Sequence, residues 1–173
     1  MEYVGKGYAY AGGVFDYNTA AVNNTKKAYS GKSSDKAYEE LEEMCKLCQE
    51  NGVDFMVVNT PKAPYDIAAY GAEKYFAINQ KISGICSKYG ADYYDFNLVK
   101  PELFSICPEY LSNFEHLNKT GSEVFCKAFS KFVLSRDAGE DVSQYFMMRM
   151  PIWNLSKISL LLTFRDMTIR KYK

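Results

Sequence analysis

The fold class is decided by one segment, Val53-Asp54-Phe55-Met56-Val57-Val58-Asn59. Its residues are mostly apolar on both alternating faces, which is typical of a strand buried inside a parallel sheet. Thr60 and Pro61 follow it, and a proline at this point ends a strand. Such a strand needs strand neighbours in its own sheet and helices on both of its faces. The segment therefore predicts an α/β protein.

Helical periodicity flanks this segment. Before it, apolar residues recur at helical spacing from Tyr38 to Cys48. Ser33 or Ser34 is the expected N-cap of that helix, and Gly52 is placed to end it. After the segment we predict a helix, a strand, a short helix and a long helix, over residues 71–89, 91–97, 101–104 and 120–135. This alternation predicts parallel strands joined by right-handed crossovers.

The strand count is low for such a protein. Two strands are fewer than the roughly four to six that a sheet covered on both faces usually contains. Either residues 1–12 and 158–164 supply further strands, or the chain is the C-terminal part of a larger domain. The residues themselves leave both alternatives open.

Length and composition favour one folded domain, because 47% of the 173 residues are hydrophobic. Residues 1–32 show no sustained periodicity and are expected to be irregular, apart from a short strand near residues 8–11. Residues 136–173 fit the α/β pattern poorly, and their end is rich in Lys and Arg. We therefore expect a domain over residues 1–135 and a poorly specified basic extension over residues 136–173.

Charge and hydropathy argue against two kinds of partner. Lys plus Arg and Asp plus Glu number 21 each, so no overall positive charge favours nucleic acid. The longest apolar stretch, residues 158–164, is far shorter than the roughly 20 residues that span a membrane. No signal-peptide pattern opens the sequence, so the chain as encoded is expected to be cytoplasmic.

The five cysteines are an odd number in a chain of this length, which argues against a disulfide framework. Cys45 and Cys48 form a C-x-x-C pair, a spacing found in redox and metal sites. They lie inside a predicted helix, and no further cysteine pair or histidine completes a zinc site. We therefore favour buried, reduced core cysteines and expect neither a metal nor a cofactor, with a redox or metal pair as the alternative.

The only histidine lies in the stretch Asn113-Phe114-Glu115-His116-Leu117-Asn118-Lys119-Thr120-Gly121. This polar loop precedes the last predicted helix, which Asn118 is expected to cap. Because histidine has the side chain that titrates nearest neutrality, His116 is a candidate general base. The alternative is a surface histidine in a turn.

Two further polar pairs follow the predicted strands, Asn59 with Thr60 and Asp95 with Asn97. Ligands of open α/β sheets bind at the carboxyl ends of the strands. Asp95, Asn59 and Thr60 are therefore candidate substrate-binding residues that would line a cleft with His116. The alternative is local structure, in which Asn59 and Asn97 shape turns and Asp95 accepts backbone N–H groups.

The order of these elements resembles a known family. Its features here are a strand ending in Asn59-Thr60-Pro61, a helix, the segment Tyr93-Tyr94-Asp95-Phe96-Asn97, and a loop ending in His116-Leu117-Asn118-x-x-Gly121 before an amphipathic helix. Together they resemble the C-terminal half of SGNH/GDSL-type hydrolases, in particular the bacterial cell-envelope branch related to polysaccharide O-acetyl-transfer proteins. The likeness spans about residues 36–135.

The resemblance implies a partial three-layer α/β/α sandwich with a short parallel sheet, whose N-terminal strands are missing. It implies that His116 is the general base and that Asn113 occupies the position of the aspartate that orients it. The nucleophile of the family is a serine in an N-terminal Gly-Asp-Ser block. The implied substrate is a glycan or an acylated small molecule, and no cofactor is implied.

The sequence departs from the family pattern at two points. Asn113 is neutral and cannot stabilise an imidazolium; the equivalent Asp-to-Asn change in a serine protease lowers turnover about 10⁴-fold. Whether Glu115 replaces the missing carboxylate stays open. No Gly-Asp-Ser block is present, and none of the serines follows an apolar strand at a tight turn.

Two hypotheses follow. The first is a truncated SGNH/GDSL-like esterase or O-acyltransferase domain, weakly active or inactive as this chain. The second is a non-catalytic binding or assembly module of the bacterial cell envelope, which self-associates through an uncovered sheet edge. Relatives in the family usually act outside the membrane.

Overall fold

A computed structural model describes residues 2–5, 8–10, 12–14, 34–64, 66–67, 71–113 and 115–147. The strands and long helices in this part of the chain are, in order, β1 (Glu2–Gly5), β2 (Tyr8–Tyr10), α1 (Asp35–Glu50), β3 (Met56–Asn59), α2 (Ala72–Lys88), β4 (Asp92–Asp95) and α3 (Lys119–Asp137). Short 3₁₀ helices cover Phe96–Leu98, Pro108–Tyr110 and Val142–Tyr145. The fold is mixed α/β.

The strands β3 and β4 pair in parallel, as the sequence predicted. Their register runs from Met56 opposite Asp92 to Asn59 opposite Asp95. In the described part of the chain this sheet has two strands. Because β1 and β2 pair with each other in a separate antiparallel sheet, residues 2–10 do not extend the parallel one. Residues 158–164, the other expected source of strands, lie outside the described residues.

Side chains of β3 and the residue before it alternate between two hydrophobic clusters. Phe55 and Val57 pack into a cluster with Cys45 of α1 and Cys86 of α2. Met56 and Val58 pack into a second cluster, which is formed mainly with α3. The alternation follows from strand geometry, in which successive side chains point to opposite faces. Helices therefore cover both faces of the strand, which explains why it is apolar on both.

The larger cluster is aromatic. Phe96 and Phe132 are 1% and 0% exposed, and their rings meet edge to face with centroids 5.2 Å apart. Phe96 makes similar edge-to-face contacts with Phe125, Phe129 and Phe146. Such geometry adds to the stabilisation from burial, because the positive ring edge meets the negative ring face. This cluster fixes α3 against the sheet.

Two details differ from what the sequence predicted. The short strand expected near residues 8–11 is present as β2, but it pairs with a further strand, β1, in a stretch that was otherwise expected to be irregular; residues 15–33 lie outside the described part. The short helix expected at residues 101–104 is a single turn, in which the backbone N–H groups of Leu103 and Phe104 both donate to the carbonyl of Lys100. Phe104 is buried in the aromatic cluster, and the chain does not continue as a helix after this turn.

The structure also describes the first residues beyond the expected domain boundary at residue 135. The helix α3 continues to Asp137, and Val142 is buried in the aromatic cluster. Phe146 stacks on Tyr94 and forms a β-bridge with Val99. Val142 and Phe146 therefore pack with the domain core, and residues 148–173 lie outside the described part.

The amino ends of the two parallel strands are tied together by one arginine. Arg136, near the end of α3, donates two hydrogen bonds to the carboxylate of Asp54, at 2.6 and 2.7 Å, and one to Asp92 at 2.9 Å. The hydrogen bonds from Arg136 hold the pKa of Asp54 below its usual value. Planar, bidentate pairing of this kind is specific to arginine. The opposite, carboxyl ends of the strands carry the polar residues Asn59 and Asp95.

The helix α3 begins against the backbone of Tyr110. A Cβ placed on Gly121, in the first turn of α3, would overlap the Tyr110 carbonyl oxygen and lie 2.7 Å from the Tyr110 Cβ. Only glycine fits at this close approach. Gly84 in α2 offers a contrast, because nothing lies within 4 Å of a Cβ at that position.

We predict that Gly121→Ala lowers the free energy of unfolding by about 1–3 kcal/mol, because the methyl group forces α3 away from Tyr110. Gly84→Ala is the matched control. It should raise the free energy of unfolding by about 0.5–1 kcal/mol, because alanine has a higher helix propensity than glycine at an exposed interior position. Urea denaturation of both variants measures the difference. Equal tolerance of the two substitutions would contradict the close packing at Gly121.

Candidate functional site

A compact polar cluster lies at the carboxyl ends of β3 and β4. Asp95, the last residue of β4, is only 6% exposed. Its Oδ2 accepts a hydrogen bond from the Tyr75 hydroxyl at 2.5 Å, and its Oδ1 accepts from the backbone and side-chain nitrogens of Asn97 at 3.0 and 2.9 Å. Burial raises the pKa of Asp95 above its usual value, and these hydrogen bonds limit the rise.

The other two predicted substrate-binding residues belong to the same cluster. Asn59 donates its side-chain amide to the Tyr75 hydroxyl at 3.3 Å. Thr60 takes part through its backbone carbonyl, which accepts from the Asn97 amide at 3.2 Å. The Asn97 amide oxygen in turn accepts from the backbone N–H of Lys62 at 2.8 Å. The structure thus brings Asn59 and Thr60 together with Asp95, and it also gives Asn97 the turn-shaping role named as the alternative.

Tyr75 is the member of the cluster that the sequence did not reveal. Helical spacing places it on the apolar face of α2, and its side chain is indeed buried, at 7% exposure. Its hydroxyl nevertheless reaches Asp95, and burial together with the Asp95 charge raises the pKa of that hydroxyl. A buried tyrosine needs a partner for its hydroxyl group, which is the signal that would have placed it near a polar strand end.

The histidine loop is closed at its base by backbone hydrogen bonds. The N–H of Asn118 donates to the Tyr110 carbonyl at 2.8 Å, and the N–H of Ser112 donates to the His116 carbonyl at 2.9 Å. Leu111, on the N-terminal side of the loop, is fully buried and holds that side against the core. The loop is therefore a short connection closed by antiparallel pairing of Leu111 with Leu117, and His116, which is exposed, lies beside this closing pair.

The side chain of Asn118 holds the base of this loop. Its Oδ1 accepts from the N–H of Gly121 at 2.9 Å, which is the N-cap contact that the sequence predicted. Its Nδ2 donates to the carbonyls of Glu109 at 2.7 Å and Gly13 at 3.1 Å, and lies 3.4 Å from that of Leu111. One buried amide thus joins α3, the histidine loop and the segment that follows β2.

The predicted catalytic pair, Asn113 and His116, is in contact. The Asn113 Oδ1 accepts from the backbone N–H groups of Glu115 at 2.9 Å and His116 at 2.8 Å. The same atom lies 3.0 Å from Nδ1 of the imidazole. Because two backbone donors point at it, this atom is the amide oxygen and accepts a hydrogen bond from Nδ1–H.

This contact fixes the tautomer of the histidine. A neutral imidazole that carries its proton on Nδ1 has an unshared electron pair on Nε2, which is the form that a general base needs. Asn113 therefore orients His116 as an aspartate would, but it supplies no negative charge to stabilise the protonated ring. Glu115, the alternative carboxylate, contributes its backbone N–H to the same asparagine.

The two groups of predicted site residues are separate hydrogen-bonded units. Within the described residues, the hydrogen bonds of His116 go to Asn113 and Ser112, and none reaches the cluster around Asp95. Ser112 bonds to the backbone carbonyl of His116 and not to its ring. The structure therefore pairs His116 with its orienting residue without supplying a nucleophile from that loop.

Metal-ligand clusters, disulfide bonds and membrane-spanning helices are absent from the described ranges. Among those residues, no three His, Cys, Asp or Glu side chains converge as metal ligands. All five cysteines are free, with Cys45 buried and Cys48 half-buried. None of the helices within this part of the chain has the length and apolar character that crossing a membrane requires. No family model, curated protein or solved structure matches the chain.

A second buried carboxylate lies on the segment that follows β3. Asp66 is fully buried, and neither of its carboxylate oxygens has a hydrogen-bond partner. The nearest cation is the Lys62 ammonium, 3.8 Å from Oδ2. Burial raises the pKa of Asp66 to about 6, although the charge of Lys62 opposes that rise. This burial was not predictable from local sequence, because an aspartate after a proline-containing turn is ordinarily exposed.

We predict a pH-dependent effect of Asp66→Asn. The folded state binds the Asp66 proton more tightly than the unfolded chain, so the contribution of this group to stability falls as pH rises from about 4 to about 6. The neutral asparagine removes that loss. At pH 8 the variant should be more stable than the natural chain by up to about 3 kcal/mol, and the difference should shrink towards pH 4.

Urea denaturation across this pH range measures the effect. Glu39→Gln, which changes an exposed carboxylate on α1, serves as the control and should shift stability little at any pH. A constant difference between the Asp66 variant and the natural chain at all pH values would contradict the proton uptake.

Proposed function

We propose that this chain carries the C-terminal half of an SGNH/GDSL-like hydrolase domain of the bacterial cell-envelope type, arranged as part of an α/β/α sandwich. The reaction from which it derives is ester hydrolysis or acyl transfer on a hydroxyl group of a glycan or lipid. The single observation that carries the proposal is the Asn113 Oδ1 contact, 3.0 Å from His116 Nδ1. A contact of this kind is what the family pattern would require between the base and its orienting residue, and it therefore supports the proposal.

In this reaction His116 would act through its Nε2 atom. An unprotonated Nε2 accepts the proton of a serine hydroxyl, which turns a weak nucleophile into one that attacks an ester carbonyl. The imidazolium then returns the proton to the leaving group. Asn113 holds the ring for both steps through Nδ1, but the positive charge formed between them gains no ionic partner from it.

We propose that the chain by itself is weakly active or inactive. Its sequence has no Gly-Asp-Ser block, and the serine nearest to His116 in sequence bonds to the backbone and not to the imidazole. Without the nucleophile the covalent step is lost, and a neutral residue at position 113 weakens what remains. The chemistry of such a site needs no cofactor.

Asp95, Asn59 and Thr60 are proposed to form one wall of the substrate cleft. They lie at the carboxyl ends of parallel strands, where ligands of open α/β sheets bind. Their polar atoms are largely held by one another and by Tyr75, so they would shape the cleft more than they would bind the substrate directly.

A second candidate function is a binding or assembly module that associates with itself. In the described part of the chain, β3 pairs with β4 alone, and all four residues of β3 are half-buried. Three large apolar side chains near the end of α1 are also exposed: Met44 at 48%, Leu47 at 60% and Val53 at 54%. An open strand edge and exposed apolar side chains each favour association with another copy.

We predict that the purified chain does not hydrolyse p-nitrophenyl acetate above the rate of His116→Ala and is not labelled by a fluorophosphonate probe, because no serine is activated. Hydrolysis is measured by the absorbance of the released nitrophenolate at about 400 nm, and labelling by the fluorescence of the probe on a gel. Asn113→Asp is the matched variant, since it restores the charge but not the nucleophile, and should also be inactive. Labelling or turnover that His116→Ala abolishes would contradict the proposed inactivity.

The second candidate predicts concentration-dependent association, which light scattering measures. Leu47→Lys should shift the chain towards the monomer, because it places a charge in the patch at the end of α1. Leu134→Lys is the control, since Leu134 is also exposed, at 70%, but lies on α3. A monomer at high protein concentration would argue against assembly through this edge.

A further inference from the structure

Two cysteine side chains meet between the first two long helices. Cys45 of α1 and Cys86 of α2 are 1% and 0% exposed. Both belong to the hydrophobic cluster that covers one face of the parallel sheet, together with Ala91. The two helices pack against each other, and burial together with the neighbouring Cys45 raises the pKa of Cys86. The two thiols therefore lie close to each other within this cluster.

The remaining cysteines are poorly placed to compete. Cys48 lies on α1 three residues after Cys45, and Cβ atoms at that helical spacing are about 5–6 Å apart. Disulfides need Cβ atoms about 3.5–4.5 Å apart, so the pair on one helix would have to distort it. Cys126 is exposed on α3, which packs on the other face of the strands. Cys107 is half-buried just before the 3₁₀ helix Pro108–Tyr110, whose Tyr110 packs against the aromatic cluster on that same face. Among the described residues the pairing of Cys45 with Cys86 is thus the one the fold favours.

We propose that Cys45 and Cys86 form a disulfide bond between α1 and α2 when the chain folds in the presence of a small-molecule disulfide oxidant. The two thiols are free in the reduced protein. The pair is thus a modification site whose oxidation state depends on the redox conditions under which the chain folds.

The external disulfide accepts the electrons that the two protein thiols lose. The thiolate of one cysteine attacks the external disulfide, forms a mixed disulfide and releases one external thiol. The thiolate of the second cysteine then attacks the protein sulfur of the mixed disulfide and releases the second external thiol. Two protein thiols lose two electrons and two protons in total, and the external disulfide gains them as two thiols.

The timing follows from burial. Removal from water, together with the neighbouring Cys45, raises the pKa of Cys86 to about 11, so the folded protein holds little of the thiolate that attacks disulfides. Exchange is therefore expected while the cluster is still open during folding. Once formed, the bond would be shielded by the same burial.

The bond would also act on the candidate site. It joins positions about forty residues apart in sequence, and a link of that length restricts the unfolded chain. The helix α2 that it anchors carries Tyr75, which donates to Asp95 at the strand end. Oxidation would therefore stabilise the helix that holds the polar cluster in place.

The experiment is refolding of the reduced, full-length chain in a mixture of oxidised and reduced glutathione, followed by acid quenching and peptide mapping without reduction. We expect the peptide containing Cys45 to be linked to that containing Cys86 in most molecules. Cys48→Ser and Cys126→Ser should keep this link, whereas Cys45→Ser and Cys86→Ser should lack it. A predominant Cys45–Cys48 link, or a mixture without preference, would overturn the proposal.

Stability gives a second readout that needs no substitution. The oxidised natural chain should unfold at a urea concentration about 1–2 M higher than the same sample after reduction with dithiothreitol. Cys86→Ser, treated in the same way, should show no such shift. A midpoint that is unchanged or lower in the linked protein would mean that the bond does not fit the fold, and would equally overturn the proposal.

Discussion

The structure depends on one constraint, which is that the strand β3 is apolar on both of its faces. Val57 and Val58 are adjacent in sequence but enter two different hydrophobic clusters. A strand of four residues with one neighbour is not stable alone, so helices must pack against both faces. The helices α1 and α2 cover one face and α3 the other, and the burial of backbone and apolar side chains between them leaves polar residues at the strand ends.

The two ends of the strands satisfy their polar groups in different ways. At the amino end, Arg136 joins Asp54 and Asp92 in an ion pair network that is partly open to water and therefore screened by salt. At the carboxyl end, the buried Asp95 is held by the neutral donors Tyr75 and Asn97. Burial raises the pKa of Asp95, and the hydrogen bonds from these neutral groups limit the rise. The two strand ends therefore differ in kind, with a partly exposed ion-pair network at one and a buried carboxyl group held by neutral donors at the other.

Local spacing predicted much of the fold, because α1, α2, α3 and the two parallel strands each show their own periodicity. What it missed depends on contacts distant in sequence. Phe146 is part of the core because it meets Phe96 and Tyr94, and no periodic pattern surrounds it. The hydroxyl of Tyr75 and the burial of Asp66 likewise follow from how the chain folds back at the strand ends. Of the candidate site, the Asn113–His116 pair was predicted from the family resemblance, whose motif places the two residues three apart in sequence.

The Asn113 side chain has two separable roles, and this bears on how the site is interpreted. Its oxygen accepts two backbone N–H groups and so closes the turn, which asparagine and aspartate do equally well. Its contact with His116 Nδ1 uses the same oxygen and fixes the tautomer without a charge. Under the proposed function, the loop would keep the shape of a catalytic loop without the charge that makes the histidine an effective base. Shape alone is consistent with descent from a hydrolase, whereas activity needs both the charge and a hydroxyl group within reach of Nε2.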